Sequence, residues 1–417
     1  MKTANRQLNI NCGGLVGRGL ALSLALFAIG IGSSRANTVL WSEGFEVYTM
    51  QSGQTWGGLD KQEIPLGPNT APNGSGNPWF GPNPAPHNGV VTMVMTNPVP
   101  TNVVVTPHSG QFMMRGSRND ANGWFTGFDN DIDHVNIAYR FHGGAPFTAN
   151  FMVDWWFYDV LGSYYYGDIN LGPGCFGDHA GIEYSTVAPT GTDYVSNGFI
   201  GTPGENPFGL TGDEYLVTAR LAIGAYEVGT GVYDEHFYQV QVQGAADAEW
   251  GNASDEWGTG WFNTTVTRSN GWHHAAITVD GNNMAVLSID DTVALIHATG
   301  APNGFNVFTT TEIQQTPDTY NQSAYYDDIT LSLITGPKIL SSSISSGTNF
   351  VINATDGLLG WTYDLVTSTN VAQPLNQWTA ISSNRLSATG PFSMTATNVV
   401  TAANPKAFFA LRGAIQP

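Results

Sequence analysis

Residues 271–291 read GWHHAAITVDGNNMAVLSIDD, and this stretch decides the fold. Ala275, Ile277 and Val279 occupy every second position, and Ala285, Leu287 and Ile289 resume the pattern after Gly281-Asn282-Asn283. In an extended chain successive side chains point to opposite faces, so an apolar period of two predicts a strand with one face on a core. Two such runs around a Gly/Asn turn predict an antiparallel hairpin with those six side chains buried.

The same phasing extends outward. In Phe151–Val160 (FMVDWWFYDV), Phe151, Val153, Trp155 and Phe157 form an apolar set facing the core. Met152, Asp154, Trp156 and Tyr158 form the opposite, mixed set. Tyr238, Val240 and Val242 alternate with Gln239, Gln241 and Gln243, and Ile329, Leu331 and Leu333 close the region. No stretch sustains a period of 3.6. Composition agrees: only 11 % of the 417 residues are charged, so long-chain helix formers are scarce, whereas 50 Gly and 22 Pro supply turns. Apolar residues reach 41 %, with 12 Trp, 16 Tyr and 21 Phe, which excludes a disordered polar chain. The expected fold class is all-β: a two-sheet antiparallel jelly-roll sandwich followed by a small β-rich C-terminal domain.

The first 36 residues read as a secretory leader. Lys2, Arg6 and Arg18 precede or open the apolar run Leu20–Gly32, and Ser34-Arg35-Ala36 places small residues at −3 and −1 of a cleavage site. The run is too short to span a bilayer comfortably, and no later segment is apolar enough to do so. The expected location is secreted, extracellular or at the cell surface. Cleavage leaves Cys175 as the one mature cysteine, so no internal disulfide is available. The expected divisions are 1–36 for the leader, 37–335 for the sandwich and 336–417 for the tail. The Ser-rich run 340–349 (LSSSISSGTN) marks the boundary, and 66–88 reads as a long loop.

Charge separates the two parts. The formal net charge of the chain is −19, and the leader holds four bases and no acid. The tail carries four bases (Lys338, Arg385, Lys406, Arg412) against Asp356 and Asp364, a net of +2. Residues 37–335 therefore hold six bases and 31 acids, a net of −25. That balance argues against nucleic acid or an anionic membrane as partner, since both demand Lys and Arg. Clustered carboxylates suit a hard cation such as calcium better.

The run 271–281, the strand end Ile289-Asp290-Asp291, the closing Tyr325-Tyr326-Asp327-Asp328-Ile329 and the opening Gly44-Phe45-Glu46 carry a family resemblance. The first two look like the late hairpin of laminin-G-like domains in the concanavalin A-like lectin/glucanase group; the others are similar to the last and first strands of jelly-roll modules. The resemblance implies a carbohydrate-binding or glucanase sandwich with structural calcium near its first and last strands. The tail, from Trp361 through Trp378 to the closing Phe408-Phe409-Ala410-Leu411-Arg412, is similar to a small β-rich module at the C-termini of secreted Verrucomicrobia proteins.

Catalytic motifs are missing: there is no Gly-x-Ser-x-Gly elbow, no His-Glu-x-x-His and no phosphate loop. The Glu-x-Asp-x-x-Glu strand of retaining glucanases in this group is also missing. For a metal, Glu46 pairs with Asp327 and its neighbour Asp328; the alternative is that these carboxylates cap backbone N–H groups at the sandwich rim. Asp129, Asp131 and Asp133 form a second metal candidate, set against a solvated polar turn. An EF-hand is excluded there by His134 and Arg140 at positions 6 and 12. His273 and His274 read as packing residues. The face carrying Asp154, Trp156 and Tyr158 is the expected glycan-binding surface, because sugar C–H faces stack on aromatic rings while carboxylates take hydroxyls. The expected function is a secreted, non-catalytic carbohydrate-binding or adhesion protein with polysaccharide as partner. The alternative is a glycoside hydrolase or polysaccharide lyase with an unrecognised site.

Overall fold

The computed structural model describes residues 8–11, 37–46, 56–58, 79–80, 89–91, 95–96, 104–111, 113–117, 133–140, 147–148, 150–159, 179–184, 216–223, 226–227, 232–233, 237–241, 262–299, 304–314, 323–400 and 406–417. Within them there is no α-helix; nearly all regular structure is antiparallel strand. The chain forms two compact units, Val39–Leu333 and one built on Ile334–Gln416.

The larger unit is a sandwich of two sheets. The first runs, strand by strand, Thr292–Ala298, Met284–Ile289, Gly271–Val279, Phe151–Asp159, Ser323–Leu333, Met113–Ser117, Gly89–Val91 and Trp56–Gly58, with Thr38–Glu43 also paired to Ser323–Leu333. The second runs Phe262–Thr267, Phe237–Gln241, Leu216–Ile223, His179–Tyr184, Val307–Gln314, Asp133–Arg140 and Trp79–Phe80.

The hairpin at 271–289 forms in the expected register, with Ala275 opposite Ile289, Ile277 opposite Leu287 and Val279 opposite Ala285. All six side chains are fully buried. The turn is set by Asp280, whose Oδ1 accepts the backbone N–H groups of Asn282 and Met284, while Asn283 takes the left-handed conformation at φ 60°. The next turn is tighter: Ile289 pairs with Thr292 across Asp290 and Asp291, both at positive φ, the two-residue geometry that matches strand twist.

Phe151–Asp159 lies between Gly271–Val279 and Ser323–Leu333, and its burial alternates strictly along nine residues. Phe151, Val153, Trp155 and Phe157 enter the core, where they meet the second sheet: Trp155 lies edge-on to Phe308 at 5.4 Å and Phe157 edge-on to Tyr238 at 5.5 Å. Tyr238, Val240, Ile329 and Leu331 are buried in the same core, and Leu333 packs against it. At its end Asp159, fully buried, receives both Nε and Nη2 of Arg268 at 3.0 and 2.7 Å. That bidentate pairing satisfies two charges that would otherwise be prohibitive to desolvate.

The C-terminal unit has its own core. A three-stranded sheet (Lys338–Ser345, Asn349–Gly357, Gly390–Ala396) faces a second one of Lys406–Ala414, Thr362–Ser368 and Thr379–Arg385, with Phe350 stacked on Phe409 at 4.0 Å. The Ser-rich run read as a boundary marker lies just past the division at Leu333/Ile334 and forms the edge strand Lys338–Ser345, hydrogen-bonded to Asn349–Gly357. An edge strand with one open side needs few apolar residues, so its composition resembles a loop. Leu8–Asn11, within the expected leader, pairs with the outer side of Lys406–Ala414.

Candidate functional site

The outer face of the first sheet carries the even set of the central strand. Met152, Asp154, Trp156 and Tyr158 lie opposite Thr278, Ala276, His274 and Trp272 of the neighbouring strand. On the other side Trp156 lies opposite Asp327, because the pairing with Ser323–Leu333 slips between Asp154 and Trp156. Asp328, at φ 47°, sits in that bulge. An extra residue in one strand re-aims its neighbours, and here two consecutive carboxylates, Asp327 and Asp328, follow one another at the slip beside an indole.

A distant loop completes the cluster. His108 stacks on Trp156 with ring centroids 3.7 Å apart at 14°, and lies edge-on to Trp272 at 5.8 Å. His274 tilts against Trp156 at 5.1 Å and reaches Asp154 Oδ1 at 3.4 Å. The Trp272 indole N–H donates to the Thr106 carbonyl at 2.8 Å. Tyr158 is deeper: it packs edge-on to Trp272 and Tyr325 over Val105 and Met113, and burial raises its phenol above the ordinary value.

The loop is held by acids. Asp327, with no exposed surface, accepts the backbone N–H of His108 (2.9 Å) and Ser109 (3.2 Å) on Oδ2 and that of Asp328 on Oδ1. Asp328 accepts His108 Nδ1–H at 2.7 Å and Ser109 Oγ–H at 2.8 Å. Glu46 accepts the Gln111 N–H at 2.6 Å. Gly110, at φ 60°, has the Glu46 carboxylate where a Cβ would stand, so the turn requires glycine. Desolvation pushes the Asp327 carboxyl up to about 7, with the neighbouring Asp328 charge adding to it against the three N–H donors.

The sequence-predicted residues thus fall into three groups. Asp154 and Trp156 meet in one cluster, with Tyr158 beside it in the aromatic packing. Glu46 and Asp327 both hold the 108–111 loop, as caps on backbone N–H groups. Among the described residues no three His, Cys, Asp or Glu side chains converge in a metal-binding group. Asp129 and Asp131 lie outside the described residues, as does Cys175; Asp133 begins the strand Asp133–Arg140. Sequence reasoning missed His108 and Ser109. Their local signal is Thr106-Pro107-His108-Ser109-Gly110, a turn after an apolar run. Nothing local announces contact with residues 219 and 220 positions away.

No protein-family model and no curated protein matches this chain. Among solved structures it is similar to a carbohydrate esterase of the Shiga toxin-encoding bacteriophage phi24B (TM-score 0.34, 12 % identity, 72 % of this chain and 99 % of that one). It is similar to the Emp47p carbohydrate recognition domain (TM-score 0.34, 11 % identity, 72 % and 99 %). It is also similar to the alginate lyase AlyC3 in complex with dimannuronate (TM-score 0.30, 7 % identity, 52 % and 73 %). At these scores the likenesses carry no argument about ligand or reaction.

Proposed function

We propose that this is a secreted carbohydrate-binding protein that recognises extracellular polysaccharide at the outer-face cluster and does not cleave it. The observation that carries the reading is the composition of that cluster: the Trp156 indole with a stacked imidazole, ringed by hydroxyl-binding groups. The side chains of His108, Asp328, His274 and Asp154 remain 28, 30, 32 and 17 % exposed, so a solute reaches them. A pyranose offers an apolar C–H face and a rim of hydroxyls that both donate and accept. Aromatic rings contact the first, and carboxylates and imidazoles the second. One indole supplies modest energy, about 0.5–1.5 kcal/mol beyond area burial by analogy with aromatic pairs, so single-site affinity is weak and tight adhesion requires repeated sites.

Affinity electrophoresis in gels cast with a panel of neutral and anionic polysaccharides tests the reading. Retardation by at least one polymer, abolished in Trp156→Ala, supports it. Release of reducing ends or unsaturated uronides, lost when Asp154 or Asp328 is replaced, moves it to the hydrolase or lyase alternative. Calcium belongs to the reading as a structural ion on Glu46 and Asp327, since a carboxylate oxygen has two lone pairs and can take a second partner beside a backbone N–H. A melting temperature raised by millimolar calcium over chelator supports that ion through mass action on the folded state. An unchanged midpoint assigns both carboxylates to clamping the loop.

A further inference from the structure

We infer that His273 is a buried imidazolium, and that its second proton is a pH-sensitive latch on the wall of the outer-face cluster. His273 Nδ1 lies 2.6 Å from Asp290 Oδ2, and Nε2 lies 2.7 Å from the backbone carbonyl of Ser269. A carboxylate and a carbonyl oxygen only accept, so both ring nitrogens must donate, and a neutral imidazole has one N–H. The Ser269 hydroxyl, at 3.4 Å from Nε2, is too far to replace the carbonyl contact. The His273 side chain is 7 % exposed, so water does not take the place of either partner at the ring nitrogens.

The surroundings fit a cation. The charged and titratable groups facing His273 among the described residues are Asp290 from the Asp290-Asp291 turn, Asp159 from the end of the central strand, Arg268 paired to Asp159, and Tyr238 from the opposite sheet. The Tyr238 ring meets the imidazole edge-on at 5.4 Å, and Phe157 lies at 5.6 Å. Burial keeps the Tyr238 hydroxyl protonated, so it adds no charge. Burial alone lowers the His273 pKa. The hydrogen bonds to Asp290 and Ser269 and the charges of Asp290 and Asp159 outweigh that cost, and the net direction is upward. Asp290 is pulled below its usual value: burial opposes the change, but the bonds from His273 and from the His274 N–H prevail.

Strand alternation ties the proton to the site. His273 points inward, while its neighbours Trp272 and His274 point to the Trp156 cluster. Asp290 joins the two sides: Oδ2 holds the His273 ring, Oδ1 accepts the His274 backbone N–H at 2.9 Å, and its own N–H donates to the His274 carbonyl at 2.8 Å. Loss of the proton leaves either the Ser269 carbonyl or the Asp290 carboxylate without its donor, and the strand end bearing His274 and Trp272 loosens. Because the folded pKa lies above the unfolded value near 6.5, the stabilisation is complete below that value and is lost as pH rises through the folded pKa. The inference does not depend on what the cluster binds.

The test is 15N NMR of the histidine rings in the full chain across pH, with His273→Gln used to assign the signal. Both His273 ring nitrogens remain protonated at pH 7, where an ordinary histidine is mostly neutral. Asp290→Asn, which keeps a residue tolerant of the left-handed turn, lowers the midpoint by about 1 unit or more. Amide exchange at His274 accelerates beyond its intrinsic pH dependence over the same range. If His273→Gln does not fold, the signal displaced by Asp290→Asn makes the assignment. A neutral His273 ring at pH 7, or a midpoint that Asp290→Asn leaves unmoved, overturns the inference.

Discussion

Trp155 and Trp156 are adjacent in sequence and lie on the same strand, yet they belong to different environments. Trp155 is 1 % exposed and meets Phe308 of the opposite sheet. Trp156 is half-buried, faces two imidazoles and sits between Asp154 on its own strand and Asp327 across the ladder. A one-residue step along a strand thus separates the residue that holds the sandwich together from the one best placed to meet a ligand. The contrast teaches that aromatic content says little by itself, whereas aromatic phase says a great deal.

The largest expected effect is on the core side. Trp155→Ala removes an indole from between two sheets and should cost about 3–5 kcal/mol, read as a lowered denaturation midpoint with little change in slope. Arg268→Ala should cost a similar amount, about 3–5 kcal/mol, because it leaves the Asp159 carboxylate buried and unpaired. Replacing both members of that pair with apolar residues of similar size should recover most of the loss. If the single and double variants are equally destabilised, the pair contributes through shape and not through charge.

What the sequence made legible follows the same division. Period-two runs predicted the burial of Ala275, Ile277, Val279, Ala285, Leu287 and Ile289, and the phase of Phe151–Asp159, because alternation is a local property that every residue reports. The bulge at Asp328 was not legible. A single positive-φ aspartate carries no pattern, and the slip exists only relative to the neighbouring strand. The loop over Trp156 was equally hidden, since His108 meets Asp328 across some 220 residues of chain. Glu46, Asp327 and Asp328 were legible as a rim cluster, whereas the N–H groups of His108, Ser109 and Gln111 that reach Glu46 and Asp327 were not. The strand Lys338–Ser345 was not legible inside the Ser-rich boundary run for a third reason, that an edge strand need not show an apolar face.

A smaller effect comes from pH and separates the two faces again. The Asp327 carboxyl, pushed up to about 7 by desolvation, keeps its proton longer in the folded chain than in the unfolded one. The sign follows: its stabilising contribution is complete below the ordinary carboxylate value near 3.9 and is lost as pH rises through about 7. Unfolding midpoints measured from pH 4 to 8 should fall across this window, and Asp327→Asn should flatten the fall. Asp290→Asn should remove the part above pH 6.5 that belongs to His273, together with the stability that the lowered Asp290 carboxyl contributes above its ordinary value near 3.9 and loses as pH falls. Identical profiles for Asp327→Asn and the parent chain would show that the loop's N–H donors fully offset the burial of the charge.

The smallest expected effect on stability, and the most informative, belongs to Trp156→Ala. The variant loses the stacked contact with His108 and the tilted one with His274, each worth on the order of 0.5–1.5 kcal/mol at most, and it opens no cavity between the sheets. Its unfolding midpoint should therefore stay close to that of the parent while retardation by polysaccharide disappears. A loss as large as that of Trp155→Ala would mean that residues 104–111 and the outer face form a second core, with Trp156 as its centre. The His108 stack would then be packing, and the ligand surface would have to be sought elsewhere on the molecule. Unchanged stability with unchanged retardation would separate the cluster from binding altogether. Because Trp155 and Trp156 share a backbone, a solvent and a residue type, the difference between their two alanine variants isolates what the strand's phase alone contributes.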